Sequence, residues 1–220
     1  MKKKNELKIA SAFLVAFSIW TILIMTVDVK PLGQKGTHIG LATINCLFHK
    51  ATGVHMWLYT VTDWLGLVPV FLCLIFAGVG MAQLIKRRSL FKVDKDIMIL
   101  GIYYVVVIAA YLLFEMIPIN YRPILIGGRL EASYPSSTTL LVLCVMPTLI
   151  EQINRRLKNT SVKTAIVIGT ILFSIFMVLG RLISGVHWIT DIIGSVLLSV
   201  GLFYMYQSIV SFMGKKKEES

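Results

Sequence analysis

The sequence predicts an all-α protein, a bundle of six transmembrane helices with one short additional helix. Hydrophobic residues make up 56% of the 220 residues and charged residues only 15%, with a mean hydropathy of +0.79. This composition is typical of membrane proteins. The apolar residues also form six runs, each near the ~20 residues that a helix needs to cross a bilayer. The predicted spans are about 9–27, 64–85, 97–118, 136–150, 164–180 and 190–213.

The six spans follow one another with short connections. The first follows an N-terminal lysine cluster but has no small-residue cleavage site after it, so we interpret it as a retained helix and not as a signal peptide. Basic, polar connections separate the second span from the third and the fourth from the fifth, and a lysine-rich tail follows the sixth. Since the spans account for most of the chain, residues 1–220 are predicted to form a single domain.

The basic residues predict the orientation of the bundle. If the N-terminus is cytoplasmic and the chain alternates through six spans, 16 of the 22 basic residues lie on the inner side. Membrane insertion favours this arrangement, so both termini are predicted to be cytoplasmic, and the net charge of +11 does not indicate a nucleic-acid partner. The inner set is Lys2, Lys3, Lys4, Lys8, Lys86, Arg87, Arg88, Lys92, Lys95, Arg155, Arg156, Lys158, Lys163, Lys215, Lys216 and Lys217; the outer set is Lys30, Lys35, Lys50, Arg122, Arg129 and Arg181.

The longest connection, residues 28–56, lies on the predicted outer side. Apolar residues between Ile39 and Phe48 are spaced as one face of a helix, which predicts a short helix at the membrane interface. Three histidines in this segment, His38, His49 and His55, lack a nearby carboxylate or cysteine cluster. They are better interpreted as solvated or interfacial residues than as metal ligands, and no metal site is predicted.

Three polar segments fall on the same predicted outer side: 120–123, 134–139 and 181–191. In the last of these, His187 and Asp191 are one helical turn apart, so the carboxylate can bond one ring nitrogen and leave the other free. Arg122 and Arg181 carry guanidinium groups, which match phosphate geometry. The start of the fourth span offers free amides and a positive helix end to an anion, at Ser136, Ser137 and Thr138.

Each of these residues also has a structural interpretation. Ser136 and Ser137 can simply cap the fourth helix. Arg122 can extend from the membrane boundary to water, and His187 can be a hydrogen-bonded interfacial histidine. The conjunction of all three segments on one side of the membrane favours an anion-handling site.

The same segments resemble the three signature motifs of the type 2 phosphatidic acid phosphatase superfamily, in its integral membrane branch. The matching residues are Arg122-Pro123, Pro135-Ser136, and Arg181 followed by His187 and Asp191. The resemblance covers roughly residues 97–213 by motif and the whole chain by topology. It implies hydrolysis of lipid phosphates or isoprenoid pyrophosphates without a metal or cofactor.

The resemblance also implies a role for each site residue. His187 would attack phosphorus to give a phosphohistidine, and Asp191 would orient and charge the imidazole. Arg122, Arg181 and the backbone after Pro135 would hold the phosphoryl oxygens, together with the side chains of Ser136, Ser137 and Thr138.

This chain departs from each of the three motifs, and its second motif is degenerate. Thr138 stands where the family has the histidine that protonates the leaving group, Glu115 stands where it has a lysine, and Gly180 stands where it usually has a serine. A general acid contributes about 10²–10⁴ in rate, and an alkoxide needs its proton more than a phosphate monoester does. The sequence therefore predicts a preference for pyrophosphate-linked lipids over monophosphates.

Two residues are candidates to compensate for these losses. Glu115 lies about two helical turns before Arg122 and is a candidate proton donor. The alternative, which we favour, is that Glu115 forms an ion pair with Arg122 or Arg129. Arg129 is a candidate to replace the missing lysine.

The sequence thus predicts a phosphatase of the bacterial plasma membrane, with a site open to the outer leaflet and an anionic lipid as substrate. Two alternatives stay open. One is a catalytically impaired homologue that binds or transports phosphorylated lipid. The other is a lipid phosphotransferase, in which the phosphohistidine passes its phosphate to another hydroxyl.

Overall fold

The computed structural model describes the backbone of residues 2–215 and the side chains of residues 5–213. Within residues 2–215 the protein contains eight α-helices and no β-strand. The predicted lysine clusters at the two ends of the chain lie outside the described side chains, so the cytoplasmic placement of both termini stays a prediction. The helices are α1 (Lys2–Thr26), α2 (Ala42–Thr52), α3 (Met56–Leu65), α4 (Leu67–Arg87), α5 (Lys95–Met116), α6 (Ser137–Arg156), α7 (Thr160–Ile183) and α8 (Ile189–Lys215).

Six helical segments of the described chain are long and apolar enough to cross a membrane. They are α1, the combined α3 and α4, and then α5, α6, α7 and α8. The predictions of an all-α fold and of six membrane helices are therefore confirmed. The fourth and fifth segments are longer than the sequence predicts: the fourth extends to Arg156, and the fifth begins at Thr160.

The second membrane segment differs from the prediction, because it begins at Met56 rather than at residue 64 and runs for 32 residues. Gly66 joins α3 to α4 with right-handed helical dihedrals, so the chain continues across the junction. Polar residues before it conceal the helix in the sequence. Thr62 is fully buried, and its hydroxyl donates to the Leu58 carbonyl oxygen at 2.8 Å. The additional turns of helix place Tyr59 and Asp63 beside the candidate site.

The segment between α1 and α3 contains the predicted short helix, α2. Asn45 in α2 donates its amide to the Gly40 carbonyl oxygen at 2.9 Å and to the Thr190 hydroxyl at 3.0 Å. These bonds attach α2 to the start of α8. The position of α2 at a membrane interface stays a prediction.

The core lies where α1, α5 and α6 pack around α8. Near the site end of the bundle, Tyr134 stacks on Phe17 and meets Phe114 edge-on, with ring centroids 6.1 and 6.0 Å apart. The Tyr134 hydroxyl is 2.7 Å from the Thr21 hydroxyl, and Trp20 donates to the Thr190 carbonyl oxygen at 3.1 Å. Buried polar groups are thus paired between helices, as an apolar surrounding requires.

At the opposite end of the bundle, an ion-pair network joins α4, α5 and α6. Asp94 lies 2.7 Å from Arg87, and Asp96 lies 2.7 Å from Arg156. Hydrogen bonding to the Arg87 guanidinium lowers the pKa of Asp94 below its ordinary value. This end carries most of the basic residues of the predicted inner set.

Gly194 in α8 allows the Tyr134 ring to pack against the helix. A Cβ at this position would lie 2.4 Å from the ring, which has no free space because it is buried and bonded to Thr21. We expect Gly194→Ala to lower stability by about 1–3 kcal/mol through overpacking. The measurement is the temperature at which purified protein in detergent loses its monodisperse elution peak.

Gly169→Ala is the matched control, because a Cβ at Gly169 in α7 meets no atom within 4 Å. Its melting temperature should equal or exceed that of the wild type, since alanine favours helix more than glycine does. Equal melting temperatures for the two variants would show that Tyr134 is not constrained as described.

Candidate active site

The candidate site lies where four helix ends and one loop meet. The loop between α5 and α6 folds back on itself: the amide of Arg122 donates to the Glu131 carbonyl oxygen at 3.0 Å, and that of Ser133 to Asn120 at 2.9 Å. Gly127 and Gly128 form its tip, both with positive φ. Arg122 lies on one arm of this hairpin and Ser133 on the other, and both arms face the end of α7.

His187 lies in the tight turn between α7 and α8 and is almost fully buried. Gly185 makes the turn with a φ of 69°, and a Cβ there would lie 2.0 Å from the Gly53 carbonyl oxygen. The imidazole Nδ1–H donates to the Ser133 carbonyl oxygen at 3.2 Å. On the other side of the ring, Arg181 Nη2 donates to Nε2 at 3.4 Å. The proton therefore resides on Nδ1, and Nε2 carries the lone pair.

Asp191 supports this arrangement less directly than its i,i+4 spacing predicts. Its Oδ2 lies 3.6 Å from His187 Nδ1, which is an ion-pair distance and too long for a hydrogen bond. The same oxygen accepts from the Trp188 amide at 2.9 Å. Oδ1 is buried without a hydrogen-bond partner, with the side chains of Ser133 and Asn120 as neighbours. Asp191 thus places a carboxyl group behind the ring, while the Ser133 carbonyl oxygen accepts the hydrogen bond from Nδ1.

The surroundings of His187 favour the neutral imidazole. Burial lowers the pKa of His187 well below its ordinary value, and the positive charges of Arg122 and Arg181 lower it further. At neutral pH the ring is therefore uncharged, with an unprotonated Nε2 next to a guanidinium. This is the state that a nitrogen nucleophile requires.

The two arginines converge on one aromatic ring. The guanidinium carbon of Arg181 lies 5.0 Å from the centre of the Tyr59 ring and that of Arg122 lies 5.7 Å from it, within the range of cation–π attraction. Asp63 pairs with Arg181 at 3.4 Å, and Glu131 pairs with Arg122 at 3.1 Å.

Some guanidinium donors stay unpaired. Arg122 Nη1 and Arg181 Nε are buried without a hydrogen-bond partner. An unsatisfied buried donor costs roughly 1–3 kcal/mol, and more when it is charged. Oxygen atoms of a bound anion would satisfy both.

The residues at the start of α6 occupy three different positions relative to the site. Ser136 is fully buried, and its hydroxyl donates to Thr139 Oγ1 at 3.1 Å instead of capping the helix. Ser137 lines a small cavity together with His187, Ser133 and Glu115, which we call the histidine cavity. Thr138 does not line this cavity; it faces a neighbouring groove that also contains Asp63. The first-turn amides of α6 have no intrahelical acceptor.

The two candidate compensating residues occupy different places. Glu115 lines the histidine cavity, and among the described side chains it forms no ion pair with Arg122 or Arg129. The alternative in which Glu115 pairs with one of these arginines is therefore wrong, because Arg122 pairs with Glu131 across the hairpin. Arg129 is exposed at the hairpin tip, where its backbone bonds to Ile126, and it does not line the histidine cavity.

The sequence did not identify Tyr59, Asp63, Ser133 or Glu131 as parts of the site. For Asp63 a signal existed, since it is an isolated carboxylate within an apolar stretch, where a charge is costly without a function. Ser133 acts through its backbone carbonyl, and Tyr59 through its ring face. Neither role has a signature in residue spacing.

No group of three or more histidine, cysteine, aspartate or glutamate side chains among the described residues could hold a metal ion. His49 stacks on Trp188 with ring centroids 5.5 Å apart, and His55 donates to the Thr52 carbonyl oxygen at 2.9 Å. Burial lowers the pKa of His49. The site itself combines two guanidiniums with a neutral imidazole.

Part of the sequence matches the model of a known protein family, and the fold is similar to that of a solved structure. The sequence model of the PAP2 superfamily matches residues 110–213, a range that includes all three motif segments. The fold is similar to a crystal structure described as the first transmembrane PAP2 type phosphatidylglycerolphosphate phosphatase from Bacillus subtilis, with a TM-score of 0.66 and 17% sequence identity over 92% of this chain and 96% of that chain. No curated protein matches the sequence significantly. The partial sequence match and the shared fold both support the resemblance of this chain to the PAP2 superfamily, in its integral membrane branch, that its motifs predict.

The neutral state of His187 is testable by ¹⁵N NMR of histidine-labelled protein in detergent, since the chain has only four histidines. Because the pKa of His187 is lowered, its Nε2 should stay unprotonated as the pH falls through 6.5. Arg122→Gln should move the titration toward higher pH, because one positive neighbour is removed.

The resonance is assigned by its loss in His187→Asn. Arg88→Gln is the control, because Arg88 is exposed at the opposite end of the bundle and should leave the titration unchanged. A His187 ring that protonates near pH 6.5 in the wild-type protein would contradict the geometry described.

Proposed function

We propose that this protein is a membrane phosphatase that removes phosphate from lipid phosphates or isoprenoid pyrophosphates through a phosphohistidine at His187. The observation that carries the proposal is the buried, neutral imidazole whose Nε2 lone pair lies 3.4 Å from an arginine guanidinium. A phosphoryl group bound to Arg181 is thereby placed next to the nucleophile.

The arginines supply the binding energy and the electrostatic stabilisation. Arg122 Nη1 and Arg181 Nε are free to donate to phosphoryl oxygens, and the first-turn amides of α6 extend the same anion site. Donors held in place before the reaction stabilise the charge that develops on those oxygens in the transition state.

Asp191 and Ser133 act on the far side of the imidazole. When Nε2 bonds to phosphorus while Nδ1 keeps its proton, the ring becomes cationic. The carboxylate at 3.6 Å stabilises that charge, and the Ser133 carbonyl keeps the ring oriented. Because the Ser133 carbonyl oxygen already accepts from Nδ1, the imidazole does not need a direct hydrogen bond to Asp191.

The location of the site is proposed from charge. The site lies at the end of the bundle opposite the Arg87–Asp94–Arg156 network, and the larger share of basic residues lies at the network end. Positive charge favours the cytoplasm. The site then opens to the outer leaflet of a plasma membrane, where an anionic lipid is its substrate.

The nucleophile is tested with phosphate release from purified protein in detergent. His187→Ala should abolish release, by a factor of at least about 10³, because it removes the proposed nucleophile. His38→Ala is the control, an exposed histidine outside the site. Acid-quenched protein incubated with ³²P-labelled substrate should carry acid-labile label only when His187 is present. Release that survives in His187→Ala would disprove the mechanism.

Substrate preference follows from the leaving group. Thr138 is a very poor acid, and the alkoxide of a lipid monophosphate is a poorer leaving group than the phosphate monoester of an isoprenoid pyrophosphate. The monophosphate should therefore react more slowly, whichever group supplies the proton. The test compares kcat/KM for farnesyl pyrophosphate with that for phosphatidic acid and for phosphatidylglycerolphosphate, the substrate in the name of the structural neighbour. Equal or faster turnover of the monophosphates would disprove the preference.

The same assay separates the two alternatives. Binding of these lipids without any release would show a lipid-binding or lipid-transporting homologue, which the absence of a histidine at Thr138 favours. Transfer of the label to an added lipid or sugar alcohol, faster than to water, would show a phosphotransferase.

A further inference from the structure

We infer that Asp63 donates the proton to the leaving oxygen, with the apolar tail of the substrate in the groove below it. The inference rests on the proposed function and adds a catalytic residue and a tail-binding surface to it. Neither the motifs nor their spacing indicate Asp63, which reaches the site from α3, outside the three motif segments.

The position of Asp63 relative to the nucleophile comes from Arg181. One terminal nitrogen of this guanidinium, Nη2, contacts His187 Nε2, and the other, Nη1, contacts Asp63 Oδ1, each at 3.4 Å. Asp63 and His187 therefore lie on the two ends of one planar group. A phosphoryl group bound to this guanidinium would have the nucleophile on one side and the carboxyl on the other.

The groove gives the direction of the lipid. It lies between α4, α5 and α6 with a volume of about 430 Å³. Asp63, Ser137 and Thr138 line its polar mouth, and Val70, Cys73 and Val107 are among the apolar residues below. An apolar chain can bury itself there while its head group stays at the mouth.

The groove and the histidine cavity are adjacent. Tyr111, Ser137 and Leu140 line both. A second, almost wholly apolar groove of about 680 Å³ between α4 and α5 shares Cys73 and Ile108 with the first. A lipid with its phosphate beside His187 and its tail along these grooves has its bridging oxygen at the mouth, where Asp63 lies.

Asp63 is the only carboxyl group among the residues that line the groove. Its side chain is 54% exposed, so it exchanges protons with solvent. Glu115 lines the histidine cavity but not the groove, so it lies beside the phosphate and not between the phosphate and the tail.

The Asp63 carboxyl group both supplies the proton in the first step and recovers one in the second. First, His187 Nε2 bonds to phosphorus, the bond from phosphorus to the lipid oxygen breaks, and that oxygen takes the Asp63 proton. Then a water oxygen bonds to phosphorus, the bond to Nε2 breaks with its electron pair returning to the ring, and the Asp63 carboxylate accepts the water proton. The products are the dephosphorylated lipid and inorganic phosphate, and the site is restored.

The test is the dependence of Asp63→Asn on the leaving group, measured as single-turnover rates of the full-length protein in detergent. For phosphatidic acid we expect a fall of about 10²–10⁴, the usual contribution of a general acid. For p-nitrophenyl phosphate, whose leaving group departs without a proton, the fall should be less than about tenfold. The aryl phosphate also reports correct folding of the variant. Farnesyl pyrophosphate should lie between the two.

Glu115→Gln is the matched control and should show no dependence on the leaving group. Asp63→Glu should recover part of the rate with phosphatidic acid. An equal fall of Asp63→Asn on all three substrates would mean that Asp63 only positions Arg181, and would overturn the inference. A leaving-group dependence in Glu115→Gln instead would assign the proton to Glu115.

Failure of the inference is distinct from failure of the proposed function. If His187 becomes phosphorylated but Asp63→Asn behaves as the wild type, only the role of Asp63 is disproved. If the wild-type protein yields neither phosphohistidine nor phosphate from any of the three substrates, the proposed function is disproved and the role of Asp63 with it.

Discussion

The site depends on two buried guanidinium groups held next to a neutral histidine. Placing two positive charges together away from water is costly, because desolvation and mutual repulsion both oppose it. The protein offsets part of this cost with the face of Tyr59 and with one carboxylate for each arginine, Asp63 and Glu131. Some donors stay unpaired, as the proposed anion site requires, and burial together with the same charges keeps His187 unprotonated.

The helical scaffold makes this concentration of charge possible. Each site segment lies at the end of a membrane helix or directly beside one, so polar groups reach the site without a polar backbone crossing the bilayer. The hairpin between α5 and α6 brings Arg122 and Ser133 onto the turn that contains His187. Tyr134 connects that hairpin to α1 through its hydroxyl bond to Thr21 and to α8 through its contact with Gly194. The geometry of the nucleophile is thus tied to the packing of the core.

The contacts around His187 differ from what the motifs alone suggest. Hydrogen bonding to the nucleophile comes from a backbone carbonyl, while the acidic partner, Asp191, acts by charge from 3.6 Å. The residue at the degenerate motif position, Thr138, faces the groove and shares its mouth with Asp63. A helix outside the motif-bearing half of the chain therefore supplies a carboxyl group to the groove that Thr138 lines.

The sequence by itself determined the helical class, the six membrane segments and the resemblance to the PAP2 superfamily, because these depend on composition, run length and spacing within a single turn. It also placed the arginines, His187 and Asp191 at one end of the bundle, since alternating spans put them on one side. Orientation in the membrane and the interfacial position of α2 rest on the charge pattern and stay predictions. Only the tertiary structure decided the start of α3, the pairing of Arg122 with Glu131 instead of Glu115, and the approach of Tyr59, Asp63 and Ser133. These contacts join residues far apart in the chain, and their partners are selected by packing, which leaves no periodic signal in the sequence.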